Sequence, residues 1–553
     1  MVRGCKSINK VVFITVIIIT FLPFAQKLNG QTVEYNYFYR VYFTDKGDYN
    51  VNNFSPSDLF SDRAITRRIK SGITYPDIKD LPVYREYLDE ISSMGLILHC
   101  TSKWMNTGLF KTLDQININT LRNLPFVREV KVVKSPSVKS NFLNKLDLIE
   151  SQDNFPPYDR PLSMINGYSL HYSGFDGSGI LIAVLDGGFY KTDVIPSLNR
   201  LRARNGILGT TDIVTGGDFV YDYHYHGTAV MSVLAGEMPN EIAGVAPGAN
   251  FWIIRTEDVS SEFPVEEDFW AAGAELADSI GADIISSSLG YFIFDNPAMS
   301  YKFADMDGNT TFVTKAADVA ASKGILVVAS AGNERDNEWL RIIAPSDGDS
   351  VLCAGGVDGY NLISAFSSAG PSADGRVKPD NVAQAVSVPV QIDEYSVVRA
   401  NGTSFSCPVL SGICACVMQA VPEASNEDII IALHESGDKA NSPDSLYGYG
   451  LPDMAIVIEK LQDKYITSPD DPIIIGPNPF INDLEITFME TPVSLGIEIY
   501  NIAGTAIVKR QYSVFISRTL TIRDLEYVRS GLYFIRISTP GGTYTKKVIK
   551  INN

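Results

Sequence analysis

The sequence predicts an α/β fold: a parallel sheet with helices on both faces, preceded by a small α+β unit and followed by a small β-sandwich. Three observations carry this. Between about residues 155 and 460, apolar runs at 180–185, 251–254, 284–287, 325–330 and 351–354 alternate with helical stretches, the pattern of strands that are each returned by a helix. The run 180–185 contains no polar residue and ends in Asp186-Gly187. It reads as a strand buried on both faces that delivers a carboxylate at its C-terminal end. From about residue 467 the composition shifts to Pro and Asp, then to short alternating segments at regular spacing, as in a sandwich.

Taken in order, residues 1–31 read as a secretory signal: Arg3, Lys6 and Lys10 precede an apolar core at 11–24, with cleavage near Ala25 or Gly30. Its removal takes Cys5 and leaves Cys100, Cys353, Cys407, Cys414 and Cys416, an odd set that makes no disulfide framework. Residues 32–154 combine strands at 33–43 and 124–133 with helices at 58–71, carrying Arg63, Arg67 and Arg68, and at 81–92. This is a small α+β unit, and the polar, Pro-rich stretch 151–158 after it is linker-like. At 553 residues the chain is long enough for several domains, and 45% hydrophobic content supports large cores. A net charge of −18 argues against a nucleic-acid partner.

Within 155–462, three segments hold complementary chemistry. Asp186 ends the buried strand. His226 opens a helix of small and apolar residues, too apolar all round for a surface helix. Ser404, in Gly402-Thr403-Ser404-Phe405-Ser406-Cys407-Pro408, precedes the apolar helical run 409–421, so its hydroxyl lies where unpaired N–H groups favour negative charge. A carboxylate can orient an imidazole, and the imidazole can take a serine proton. His224-Tyr225-His226 also suggests a pair of metal ligands, but no helix-spaced partner accompanies it and no metal is expected there. Cys407, Cys414 and Cys416 read as small buried hydrophobes.

The order Asp186, His226, Ser404 and the motifs Val184-Leu185-Asp186-Gly187-Gly188, His226-Gly227-Thr228-Ala229-Val230 and Gly402-Thr403-Ser404 resemble those of subtilisin-like serine peptidases. The resemblance extends to Ser330-Ala331-Gly332-Asn333, whose Asn333 side chain it implies for the oxyanion hole. It extends also to Ser287-Ser288-Leu289-Gly290, the extended segment implied to pair with substrate backbone. It implies Ser288, Leu289, Gly290, Ala331 and Gly332 as substrate-binding residues, with Glu334 at the pocket rim. No carboxylate is evident at the pocket base, and a large apolar or aromatic P1 residue is expected. The family implication for residues 32–154 is a propeptide that assists folding and then inhibits the site until cleaved, so the enzyme is made as a zymogen. The propeptide's end is expected to lie extended beside Ser288–Gly290. No cofactor is required for the chemistry; structural calcium is common in the family, with no site mapped here.

Residues 463–474 form a linker around Ser468-Pro469-Asp470-Asp471-Pro472. In 475–553, the residues Pro477-Asn478-Pro479-Phe480, Ile499-Tyr500-Asn501-Ile502-Ala503-Gly504, Ser530-Gly531-Leu532-Tyr533-Phe534 and Lys546-Lys547-Val548 resemble the C-terminal sorting domain of the type 9 secretion system. The expectation is therefore a serine endopeptidase, exported through the periplasm to the surface or medium. Its expected partners are protein substrates, its own propeptide and the secretion machinery.

Overall fold

The structure is a computed structural model that describes residues 35–136, the backbone of 149–150, and residues 156–465, 472–502 and 504–551. The expected secretory signal, the segment expected beside Ser288–Gly290 and residues 466–471 of the linker lie outside the described residues.

At the centre is a seven-stranded sheet in the order Asn381–Gln384, Val351–Val357, Leu326–Ser330, Ile284–Ser287, Leu181–Asp186, Asn250–Arg255, Ile207–Asp212. Every pairing is parallel. The strand Leu181–Asp186 shows why its sequence has no polar residue before the aspartate. Ile182 and Val184 enter the core on one face, Leu181, Ala183 and Leu185 the core on the other, and all are buried. The first core is closed by the helices His226–Ala235 and Thr403–Ala420, the second by Val265–Ile280 and Phe312–Ser322. The expected fold class is thus observed. Two sheet strands, Ile207–Asp212 and Asn381–Gln384, and the helices Asn426–Ser436 and Met454–Tyr465 add to the elements read from sequence.

Residues 37–134 form a four-stranded antiparallel sheet in the order Ile97–Ser102, Thr107–Thr112, Tyr37–Phe43, Val127–Lys134. The strand Tyr37–Phe43 alternates between two jobs. Tyr39, Val41 and Phe43 fill the unit's own core with Leu88, Ile91 and Phe110. Phe38, Arg40 and Tyr42 face the peptidase unit, where Phe38 packs with Phe263 and Phe269 and Tyr42 meets Phe312 edge-on. The helix expected over 58–71 is split into Pro56–Leu59 and Asp62–Lys70, because Ser61 caps the second piece by accepting from Ala64 N–H.

The join between the two units is dense in buried charge. Arg40 grips Asp268 through Nε at 2.8 Å and a terminal nitrogen at 2.6 Å, and lies 3.5 Å over the Phe312 ring. Glu275 accepts from Ser102 Oγ at 2.6 Å and from the backbone N–H groups of Lys103 and Trp104. Asp278 is paired with Arg67 and, at 2.7 Å, with Arg68, which also holds Asp80. Asp268, Glu275 and Asp278 all project from the helix Val265–Ile280. After the segment outside the described residues, Ile149–Glu150 pairs antiparallel with Ala400 and Asn401, just upstream of Ser404.

The C-terminal unit is strand-rich, as expected. The sheet Ile473–Gly476, Leu484–Phe488, Thr519–Ile522 shares one core with the sheet Ala506–Tyr512, Leu495–Asn501, Gly531–Thr539, Gly542–Lys550. It docks on the peptidase unit. Gln462, fully buried, donates to Ser517 Oγ at 3.0 Å and accepts from Arg518 N–H at 2.8 Å. Arg523 reaches Asp176 at 3.2 Å and Ser178 at 3.1 Å.

Candidate active site

The site lies beyond the carboxyl ends of the central strands, where open α/β sheets place their functional groups. Asp186 is the last residue of its strand and is fully buried. Its two oxygens lie 2.9 and 3.0 Å from His226 Nδ1, and its Oδ1 also accepts from Gly187 N–H at 2.7 Å. With a carboxylate on one side, Nδ1 carries the proton and Nε2 is left as the basic nitrogen. His226 opens its helix and is itself buried. The approach is tight because the next residue is glycine: Gly227 N–H donates to Gly188 O at 3.0 Å, and a Cβ on Gly227 would overlap that carbonyl. His224, the other histidine of the pair, accepts from the His226 backbone N–H at 3.2 Å and stacks on Tyr225.

Ser404 sits in the first turn of Thr403–Ala420, one residue inside the helix, with Gly402 as the N-cap. Gly402 has φ +147°, a conformation closed to side-chain-bearing residues. Ser404 Oγ lies 3.5 Å from Ser288 O, its hydrogen-bond partner in this structure, and a side-chain rotation would turn it elsewhere. The His226 ring lies 6.3 Å from the ring of Phe405, the residue after Ser404. Pro408 stands four residues after Ser404 inside the helix. Its missing N–H leaves the Ser404 carbonyl without a helical partner. Ser288 Oγ supplies one, donating at 2.8 Å. The turn that carries Ser404 is thereby tied to the wall of the neighbouring cavity.

Asn333 follows the strand Leu326–Ser330. Its Oδ1 accepts from Thr403 N–H at 2.9 Å and from Thr403 Oγ1 at 3.0 Å. Its Nδ2 is thus turned toward Gly402, beside the Ser404 backbone. A cavity of about 30 Å³ opens next to Ser404, lined by Ser288, Gly290, Gly332, Asn333 and Ile343, with Glu334 also bordering it. The expected substrate-binding residues Ser288, Leu289 and Gly290 lie on its wall, as does Gly332; Ala331 is fully buried behind it. Thr403 and Ile343 are site residues that the sequence reading did not single out. Thr403 lay inside a quoted motif, but Ile343 carried no signal.

The thiols take no part. Burial pushes Cys353, Cys407 and Cys414 each up to about 12, so they are held as neutral thiols. Among the described residues, no group of three or more His, Cys, Asp or Glu side chains is placed to hold a metal ion, and no calcium site is assigned.

Comparison with known proteins agrees with this architecture. The profile of the Subtilase family matches residues 177–450. That of the Peptidase S8 propeptide domain of Bacteroidota matches 38–146, and that of the Secretion system C-terminal sorting domain matches 475–552. Subtilisin Savinase of Lederbergia lenta is 30% identical over 292 residues, 52% of this chain and 94% of that protein. Subtilisin E of Bacillus subtilis is 28% identical over 345 residues, 62% of this chain and 78% of that protein. Subtilisin DY of Bacillus licheniformis is 28% identical over 298 residues, 53% of this chain and 96% of that protein. The chain belongs to the subtilase family of serine endopeptidases, carried between a propeptide domain and a type 9 sorting tail that marks it for the cell surface or the medium.

Proposed function

We propose that the protein hydrolyses peptide bonds through an acyl-enzyme on Ser404 and is made as a zymogen. Ser404 Oγ attacks the scissile carbonyl. His226 Nε2 takes its proton and then gives it to the leaving amine, while Asp186 holds the imidazole tautomer and stabilises its charged form. Asn333 Nδ2 and the Ser404 backbone N–H receive the oxyanion, and the segment Ser288–Gly290 pairs with substrate backbone. None of these steps calls for a cofactor. Once the amine fragment has left, water attacks the ester with His226 taking its proton; the acyl–Oγ bond breaks, the acid fragment leaves and Ser404 Oγ takes the proton back from His226.

The observation that carries this reading is the buried Asp186–His226 pair at 2.9–3.0 Å beside a serine in the first turn of a helix. Ser404 Oγ is turned to Ser288 O in this structure, which is compatible with it, since catalytic hydrogen bonds form or tighten when substrate is bound. The propeptide role rests on the extensive burial of the helix Val265–Ile280 by residues 37–134. In this reading the enzyme cuts the chain between that unit and its own, and the released unit inhibits until degraded. The tail is the part handed to the secretion machinery.

The test is intact mass spectrometry of wild type and Ser404→Ala, each made in a host lacking other secreted proteases. Wild type should lose the propeptide and be labelled at Ser404 by a fluorophosphonate. Ser404→Ala should keep residues 32–154 attached and take no label. Trimming of the alanine variant at the same bond as wild type would overturn self-maturation.

A further inference from the structure

The cavity beside Ser404 is built like a slot whose floor has been raised. Its two walls are the segments at Ser288–Gly290 and Ala331–Gly332, extended chains that leave the sheet side by side. The chain at 342–344 runs across their base and is hydrogen-bonded to both. Ile343 N–H donates to Ala331 O at 3.3 Å, and Tyr291 N–H donates to Ala344 O at 2.8 Å. Along this crossing, Ile342 and Ala344 are fully buried in separate clusters of the core, whereas Ile343 borders the cavity.

The Ile343 side chain stands between the walls. A Cβ on Gly290 would overlap Ile343 Cδ1, and a Cβ on Gly332 would lie 3.0 Å from the same atom. Gly290 thus turns its open face on the isoleucine methyl, and Gly332, whose φ of +102° and nearness to Ser368 Oγ also call for glycine, turns its own toward the same side chain. What remains is about 30 Å³, room for a water molecule or a methyl group. A benzene-sized ring needs about 150 Å³. Moving Ile343 aside is not cheap, because its backbone is bonded to Ala331, the next residue is bonded to Tyr291, and interiors are packed without slack.

We infer that Ile343 is the specificity-determining residue of the primary pocket and restricts this peptidase to substrates with a small P1 side chain: alanine, serine or glycine. This rests on the serine peptidase reading above and replaces the large apolar or aromatic P1 residue expected from the sequence. That expectation rested on the lack of a carboxylate at the pocket base, which sets charge preference and says nothing of depth.

The experiment compares kcat/KM for a peptide series identical except for P1 Ala, Leu or Phe, using mature wild type, Ile343→Ala and Ile343→Gly. Wild type should favour Ala over Phe by tenfold or more. Ile343→Gly should raise the Phe-to-Ala ratio of kcat/KM at least tenfold, and Ile343→Ala should fall between. A wild-type preference for Leu or Phe overturns the inference, as does an Ala-to-Phe ratio unmoved in both variants. If the variants fail to mature, the wild-type ratio alone decides. Fluorophosphonate labelling of Ser404 in wild type separates the two levels. With labelling and a large-P1 preference, only the pocket assignment falls. Without labelling, the peptidase reading falls and the pocket assignment with it.

Discussion

Thr403 donates to Asn333 Oδ1 twice, from its backbone N–H at 2.9 Å and from its hydroxyl at 3.0 Å. An amide whose oxygen is held by two donors has its nitrogen fixed as well, so Asn333 Nδ2 is aimed before substrate arrives. Asn333→Ala should lower kcat by about 10²–10³ with little change in KM, a magnitude carried over from the side-chain oxyanion donor of subtilisin. Thr403→Val removes one of the two donors and should cost less, on the order of tenfold in kcat. Steady-state kinetics on a single peptide substrate measure both, and a Thr403→Val loss as large as that of Asn333→Ala would contradict the orienting role.

The propeptide interface should depend on Arg40. Its removal leaves Asp268 buried and unpaired, a situation that costs about 3–5 kcal/mol. Arg40→Ala should therefore weaken retention of the cleaved propeptide by two orders of magnitude or more, read as earlier appearance of activity after maturation. Unchanged kinetics of activation would show that Arg40 and Asp268 do not hold the complex.

His99 gives that interface a pH dependence. Its Nε2 contacts Ile213 O at 3.0 Å across the interface, and Lys111 Nζ lies 3.1 Å from its Nδ1. Burial, reinforced by Lys111, pushes the imidazole down to about 4. A free histidine protonates near 6.5. Association is therefore at full strength above about 6.5 and weakens as pH falls from there toward 4, because only the released propeptide takes up the proton. Propeptide retention should drop roughly tenfold between pH 7 and 5 in wild type, and much less in His99→Gln. Parallel pH profiles for the two proteins would refute a role for His99. Glu275, pushed up by burial on the opposite side, works in the other sense, so the comparison with His99→Gln is what isolates the histidine.

The tail should be separable in activity but not in stability. Truncation after Tyr465 strips Gln462 of both its partners and Asp176 of Arg523. We expect an active enzyme whose thermal midpoint falls by a few degrees, with surface display in the native host abolished. Normal display of the truncated protein would contradict the sorting role.

The buried thiols should be silent. With Cys353, Cys407 and Cys414 all held near 12 and fully buried, a thiol reagent should leave them unmodified in the native mature enzyme and modify them on denaturation. Rapid native labelling at Cys407, three residues after Ser404, would show that this turn opens.

Much of this molecule was legible in its sequence. The strand Leu181–Asp186 could be read because a strand buried on both faces admits no polar residue until its end. Ile207–Asp212 escaped because it is the edge strand, with Leu208 exposed, Gly209, Thr210 and Thr211 only partly buried and no apolar run to mark it. Asn381–Gln384 escaped because only Val382 and Ala383 separate its polar ends. Asp186, His226 and Ser404 each stand in a local motif, and so could be singled out before any geometry was known. Ile343 could not be, since its role exists only through pairing with Ala331 and with the chain at Tyr291. Arg67 and Arg68 likewise showed only as helix charge; their partner Asp278 lies more than 200 residues away.

The carboxylates of the helix Val265–Ile280 have a further consequence. A propeptide from another subtilase would have to bring cations to Asp268 and Asp278, and donors to Glu275, at the same positions. One that did not would bury those acids unpaired, a penalty large enough to reject it even where its apolar surface fitted. On the propeptide reading, the helix would then select its inhibitor by the cost of burying unpaired acids more than by shape.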